Sequence, residues 1–216
     1  MNNNGLQNTA YEYILNLIIT KELTPGARIS ESQVASTLKI SRTPVRSALQ
    51  QLAAEGLIIS QANRFAQVAE YTPQKICELG ALRLTLEQLA VKLAYFYGSQ
   101  AEFLNLQQIA QKCLDAYDQG NTFERQKLDC DFHLELTRIS KNELLLDIHH
   151  QLYTRVLFIQ VHYTNPVYDT REQATEQLEI ANALLDRDLD KALKTVKNHL
   201  YSFYILDQHL PESFFD

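Results

Sequence analysis

Apolar residues recur at helical spacing through most of this chain, and the places where that spacing breaks divide it into segments. Ala10, Ile14, Leu17 and Ile18 form one stripe within residues 7–22 and predict a first helix that ends before Thr24-Pro25-Gly26. Val34 and Leu38, then Val45, Leu49 and Leu52, repeat the spacing on two short segments between Ile29 and Ile58. Each can bury one face and expose the other. After Gly56 the period changes: Leu57-Ile58-Ile59 and Ala66-Gln67-Val68 read as short strands around a tip of Gln61-Ala62-Asn63-Arg64. Thr72-Pro73, a cap residue followed by a proline suited to a first turn, starts an all-helical remainder. Helices are predicted at about 73–96, 101–118, 122–140, 143–163, 170–186 and 189–208, with breaks at Gly98, Gly120, Asn142, Asn165-Pro166 and Asp188. The fold class is mainly α, in two domains: residues 1–70, then an antiparallel six-helix bundle over residues 71–216.

The two short helices joined by a tight polar turn read as a helix-turn-helix, and the chemistry concentrates where the second one starts. Ser41 is a natural N-cap, Pro44 sits in a first turn where a missing N–H costs nothing, and Arg42 and Arg46 flank it. Two guanidiniums, the hydroxyls of Ser41 and Thr43 and several backbone N–H groups thus meet at one positive helix end. Such an end suits phosphates and guanine edges. An ordinary helical hairpin gives the same pattern without DNA, so the wider sequence has to decide. Arg64, at the predicted hairpin tip, is placed to enter a minor groove.

The string PGARISESQVASTLKISRTPVRSALQQLAAEGLI resembles the winged helix of the GntR family of bacterial repressors, and the likeness extends over roughly residues 7–70. Pro25, Gly26 and Arg28 precede the first helix of the motif and Glu31 opens it. Ser41-Arg42-Thr43-Pro44-Val45-Arg46 opens the recognition helix, and Glu55-Gly56-Leu57 closes it. The resemblance implies a winged helix-turn-helix whose DNA-binding set is Arg28, Glu31, Ser41, Arg42, Thr43, Pro44, Arg46 and Arg64. Arg42 and Arg46 would read base edges or clamp phosphates, with Arg28 and Arg64 on phosphates or the minor groove. The family carries glycine where this chain has Phe65, which removes the close backbone approach to DNA that glycine allows.

The body of the chain resembles the FCD ligand-sensing domain of the FadR subfamily in its shorter, VanR-like six-helix form. The matching features are Arg83 with Glu87, Asp129-Cys130-Asp131-Phe132-His133 followed by Asn142, Leu185-Asp186-Arg187-Asp188, and Asn198-His199-Leu200. Asp129 and His133, four residues apart, project from one helical face and can pinch one ion. The resemblance implies a divalent-metal site, for zinc, nickel or manganese, made by Asp129, His133 and His199. The position of a further histidine falls on Gln177, a poor replacement for imidazole, so the ion is either held weakly or replaced by a metal-free polar pocket. An effector pocket would be lined by Arg83, Asp129, His133, His150, Arg155, Gln177 and His199, with His149 the alternative to its neighbour; the arginines suit an anion. Tyr153, Tyr163, Tyr168, Tyr201 and Tyr204 either add hydroxyls to it or belong to the core, and His162 and His209 read as solvent or satisfied polar positions.

Composition adds limits. The 216 residues are 45% hydrophobic, ample for a core, yet no apolar run approaches the roughly 20 residues that span a bilayer. The polar start MNNNGLQN is unlike a signal peptide, so a cytoplasmic protein without membrane partners is expected. Cys77, Cys113 and Cys130 are odd in number and widely spaced, which predicts reduced buried thiols. The net charge of −6 divides unevenly: residues 1–70 carry +1 and residues 71–216 carry −7, so the head alone looks built to meet DNA. Asp129 and Asp131 are an i, i+2 pair that splits across a helix, and no nucleophile or phosphate loop stands out. The expectation is a homodimeric transcriptional regulator, a repressor, that binds a palindromic operator and senses a small carboxylate. The alternatives are a metal-dependent enzyme or a metal sensor using Asp129, His133 and His199.

Overall fold

The computed structural model describes residues 3–61, 65–163, 171–204, 206 and 210–215. Arg64, Tyr168 and His209, singled out by sequence, lie outside the described residues. Two compact units divide the chain: Met1–Glu70 with Thr154–Tyr163, and Tyr71–Tyr153 with Thr164–Asp216.

The first unit contains α1 (Asn3–Ile19), β1 (Arg28–Ile29), α2 (Glu31–Leu38), α3 (Arg42–Ala54), β2 (Ile58–Gln61) and β3 (Phe65–Val68). Ala10, Ile14 and Ile18 of α1 meet α3 through the buried stripe Val45, Ala48, Leu49 and Leu52. The apolar period of both segments thus becomes one core. Ser30 caps α2 by accepting from the Gln33 N–H, and Lys39 closes it in a left-handed conformation. The strands form an antiparallel sheet in the order β1-β3-β2, with Ile29 opposite Ala66 and Ile58 opposite Val68. Sequence periodicity missed β1, whose two residues are too few to show alternation.

Thr154–Tyr163 join this unit through two contacts at helix ends. Arg155 Nε donates to the Glu55 carbonyl at 2.9 Å, just past α3, and His162 Nε2 donates to the Ile18 carbonyl at 2.9 Å near the end of α1. The first satisfies a carbonyl just past a helix end, and the second adds to the bond that the Ile18 carbonyl accepts from the Lys21 N–H. Gly56, at φ +81°, lets the guanidinium lie against the backbone, because a Cβ there would come within 2.8 Å of it.

The second unit is helical: α4 (Pro73–Tyr97), α5 (Gln100–Asp118), α6 (Thr122–Ile139), the first half of α7 (Glu143–Tyr163), α8 (Arg171–Leu185) and α9 (Leu189–Phe203). Their starts are set by side chains: Thr72, Asn121 and Asp188 each accept a backbone N–H, and Ser99 with Glu102 completes a capping box. α5 packs on α6 and α8, α8 on α9, and α4 on both α6 and α9. Phe103, Leu106, Phe132, Leu136, Ile180, Leu184, Val196 and Leu200 fill the interior. α9 ends at Phe203 rather than near residue 208, where Tyr204 turns inward against Gly80 and accepts from Arg83. All three cysteines are buried thiols. Among the described residues no helix is long and apolar enough to cross a membrane.

Candidate functional site

At the start of α3 the backbone of Ser41 has N-cap geometry, at φ −73° and ψ 166°, but its hydroxyl makes no cap hydrogen bond. Ser41, Arg42 and Thr43 are exposed, whereas Pro44 is buried and belongs to the core of the first unit. Arg46 is exposed and forms a fork with Glu31 of α2, Nε to Oε1 at 3.3 Å and Nη2 to Oε2 at 3.0 Å. Glu31 thus holds the guanidinium at the surface in one direction. Arg28 on β1 is exposed, with its guanidinium carbon 5.9 Å from the Phe65 ring centre.

Inside the second unit, α4, α6, α7, α8 and α9 each send polar side chains to one buried place. α6 contributes Asp129 and His133 from one face, one turn apart, and α9 contributes His199. One potential ligand atom from each lies within 4.8 Å of the others. The His133 and His199 rings stack at 5.4 Å between centres and 25° between planes. Gln177 of α8 donates from Nε2 to Asp129 Oδ1 at 2.6 Å, and its own Oε1 is buried without a hydrogen-bond partner.

Each histidine has a carboxylate at Nδ1. Glu87 Oε1 of α4 stands 2.9 Å from His133 Nδ1, an ion-pair distance without hydrogen-bond alignment, and Glu176 Oε2 is 3.1 Å from His199 Nδ1. That leaves His199 Nε2 toward Asp129, at 3.8 Å from Oδ1, and His133 Nε2 buried without a hydrogen bond. A carboxylate behind an imidazole is what fixes the tautomer and orientation of a metal-ligating histidine. The orphaned His133 nitrogen and the orphaned Gln177 oxygen, beside Asp129 and His199, fit a divalent cation.

Arg83, on α4 one turn before Glu87, lies 3.6 Å from its Oε1 and donates to the Tyr204 hydroxyl at 2.9 Å. His149 approaches Glu87 at 3.7 Å and shares a 3.1 Å hydrogen bond with Thr137. Burial pushes the Glu87 carboxyl up, against the pull of His149 and Arg83. Burial also raises Asp129, but His133, Arg83 and His199 outweigh it and hold that carboxyl below its ordinary range. His133 is driven well below its ordinary range by burial and by Arg83.

The structure therefore brings together Arg83, Asp129, His133, Gln177 and His199 of the expected pocket. It separates two others: His150 is exposed while its neighbour His149 takes the inward position, and Arg155 belongs to the first unit on the Glu55 carbonyl. Glu87, Glu176 and Thr137 join the cluster with no place in the expected ligand set, and of the tyrosines offered for it Tyr204 brings its hydroxyl to Arg83. Tyr153 donates instead to Asp131 at 3.3 Å and Tyr201 to the Leu210 carbonyl at 2.5 Å.

Residues 6–68 match the family described as bacterial regulatory proteins, gntR family, and residues 78–202 match the FCD domain. The chain belongs to the GntR family. The Nta operon transcriptional regulator of Aminobacter aminovorans is 32% identical over 191 residues, covering 87% of this chain and 88% of that protein. The HTH-type transcriptional repressor RspR of Escherichia coli K12 is 25% identical over 178 residues, covering 82% and 78%. Among solved structures, E. coli McbR/YncC aligns with a TM-score of 0.76 at 23% identity over 94% of this chain and 97% of that one, a likeness of fold. This GntR member is accordingly a transcriptional regulator with a DNA-binding helix-turn-helix and an FCD effector domain. It is not an enzyme, so the reading of Asp129, His133 and His199 as a hydrolytic centre is set aside.

Proposed function

We propose that this regulator is a cytoplasmic, homodimeric repressor whose affinity for a palindromic operator is set by a small organic acid bound at the centre of the helical body. Residues 1–70 act as a winged helix-turn-helix, and residues 71–216 bind the effector and dimerise. The observation that carries the reading is the polar centre itself. Arg83, Glu87, Asp129, His133, Gln177 and His199 are all buried in the FCD region, and several of their atoms have no hydrogen-bond partner. Folding alone does not reward so many desolvated groups, whereas a polar ligand would complete them.

Asp129, His133 and His199 are the residues that would hold a divalent ion, with the Gln177 carbonyl as a neutral oxygen beside them. When bound, such an ion supplies an electrophilic anchor for a carboxylate oxygen. Arg83, fixed by Tyr204 and Glu87, offers the fixed positive charge that an anion needs. The effector can shift the equilibrium between DNA-binding and non-binding forms only by binding one of them better. At the other end, Arg42 and Arg46 read or clamp the operator, and a dimer places two such ends on two half-sites. The repressor assignment is supported by the likeness to RspR, a transcriptional repressor.

The test joins metal analysis of the purified protein, a thermal-shift screen of carboxylic acids and gel-shift titration on its upstream DNA. A carboxylate that raises the melting temperature should release DNA, and Arg83→Ala should abolish both effects. Thermal shifts from every hit that are unchanged in Arg83→Ala would remove the bundle centre as the sensor. Arg46→Ala with undiminished operator affinity would remove that side chain from the interface.

A further inference from the structure

Thr137 of α6 decides which nitrogen of His149 carries the hydrogen. The Thr137 hydroxyl has a single hydrogen, and it goes to the His133 carbonyl at 2.8 Å, an oxygen that can only accept. In the 3.1 Å contact with His149 Nδ1 the hydroxyl oxygen is therefore the acceptor, and Nδ1 donates. The Glu87 carboxylate, 3.7 Å from the same nitrogen, favours the same placement. With its hydrogen on Nδ1, the uncharged ring presents a bare lone pair at Nε2. Burial, which lowers the His149 pKa against the pull of Glu87, favours that uncharged form. Yet Nε2 is buried and has no hydrogen-bond partner among the described residues. His149 is only 6% exposed, so bulk water does not serve it either. A desolvated acceptor of this kind costs stability and calls for a donor.

The neighbours of His149 say what kind of molecule brings that donor. Arg83 Nε and His149 Nδ1 stand 3.6 Å and 3.7 Å from one atom, Glu87 Oε1. The side chain suited to a carboxylate and the side chain with the bare nitrogen thus meet at one point, within the span of a single small acid. A hydroxyl close to the carboxylate fits: it is uncharged and has one hydrogen to give. A ketone has none and would set its oxygen against a lone pair. A protonated amine could donate, but it would place a second cation beside Arg83.

We propose that His149 Nε2 accepts a hydrogen bond from a hydroxyl of the effector, which makes the ligand a hydroxy acid and His149 the side chain that separates it from its deoxy and oxo counterparts. The inference rests on the carboxylate reading of the bundle centre above and narrows its ligand class.

Calorimetric titration of the full chain with zinc present tests it, using matched acids: lactate against propionate and pyruvate, malate against succinate and oxaloacetate, and mandelate against phenylacetate and phenylglyoxylate. In the series that fits, wild type should bind the hydroxy acid about tenfold or more tighter than either counterpart. His149→Asn keeps an amide donor near the position of Nδ1 for Thr137 and removes the acceptor at Nε2. It should bring the members of that series level, with thermal melting as the control for folding. His149→Gln, whose amide oxygen reaches the place of Nε2, should retain part of the preference. A panel in which no acid binds overturns the carboxylate reading together with this one. Acids that bind equally well within every series, or a preference that survives His149→Asn, overturn the His149 contact alone, and the first of these outcomes needs no variant.

Discussion

Glu87 turns the centre of the bundle from a loose set of polar residues into an oriented one. Its carboxylate sits between His133, Arg83 and His149 with no exposure to solvent, and its Oε1 stands at the Nδ1 side of the His133 ring, leaving Nε2 on the side away from it. Glu87→Gln is therefore expected to lower divalent-metal affinity by about 10–100-fold, measured by competition with a chromophoric chelator. Equal affinities would mean that the carboxylate does not position the ring. The opposite change is expected at Gln177: replacement by His supplies a nitrogen donor and should raise zinc affinity by about tenfold or more in the same assay. Asp129 and His133 were legible from their four-residue spacing, and His199 from the resemblance. Glu87 was legible as a motif residue but not as a partner of His133, because that contact joins helices 46 residues apart in sequence. The choice between His149 and His150 depends on the rotation of α7 about its axis, which packing decides.

Element boundaries were the most readable part of the chain, because caps and breakers act locally. Ser99 and Glu102 show how much one such device can hold. The Glu102 carboxylate accepts from the Ser99 backbone and hydroxyl and pairs with Lys141, contacts led by Lys141 that pull its pKa to about 2. A carboxylate depressed in the folded state stabilises it above the ordinary unfolded value and loses that contribution as pH falls through the folded one. The melting temperature of wild type should thus exceed that of Glu102→Gln at pH 6, and the gap should close as pH falls toward about 2. Solvent screening keeps the effect near or below about 1 kcal/mol. A gap that widens on acidification would refute the assignment. The end of α9 was not readable, because Tyr204 stops it through a contact with Gly80 and Arg83 far back in the sequence.

At the scale of the whole molecule, the chain does not fold strictly in sequence order. Thr154–Tyr163 are bundle-like in pattern yet group with Met1–Glu70, where Arg155 and His162 donate to helix-end carbonyls. Sequence periodicity sees an unbroken helix over 143–163 and has no signal for a change of partners midway along it. Arg155→Ala is expected to destabilise the first unit by about 1–3 kcal/mol in chemical denaturation and to leave carboxylate binding unchanged. Loss of carboxylate binding with stability intact would return Arg155 to the effector site. The charge division between a near-neutral head and an acidic body was legible from composition alone, since it needs no knowledge of contacts.

The uncapped start of α3 has one more consequence. Ser41 leaves the opening amides of that helix without a side-chain acceptor, so a DNA phosphate seated there would act as the missing cap. Operator binding would then complete a piece of folding, and deuterium uptake at residues 42–45 should slow sharply in the complex but hardly at all when the effector alone is added.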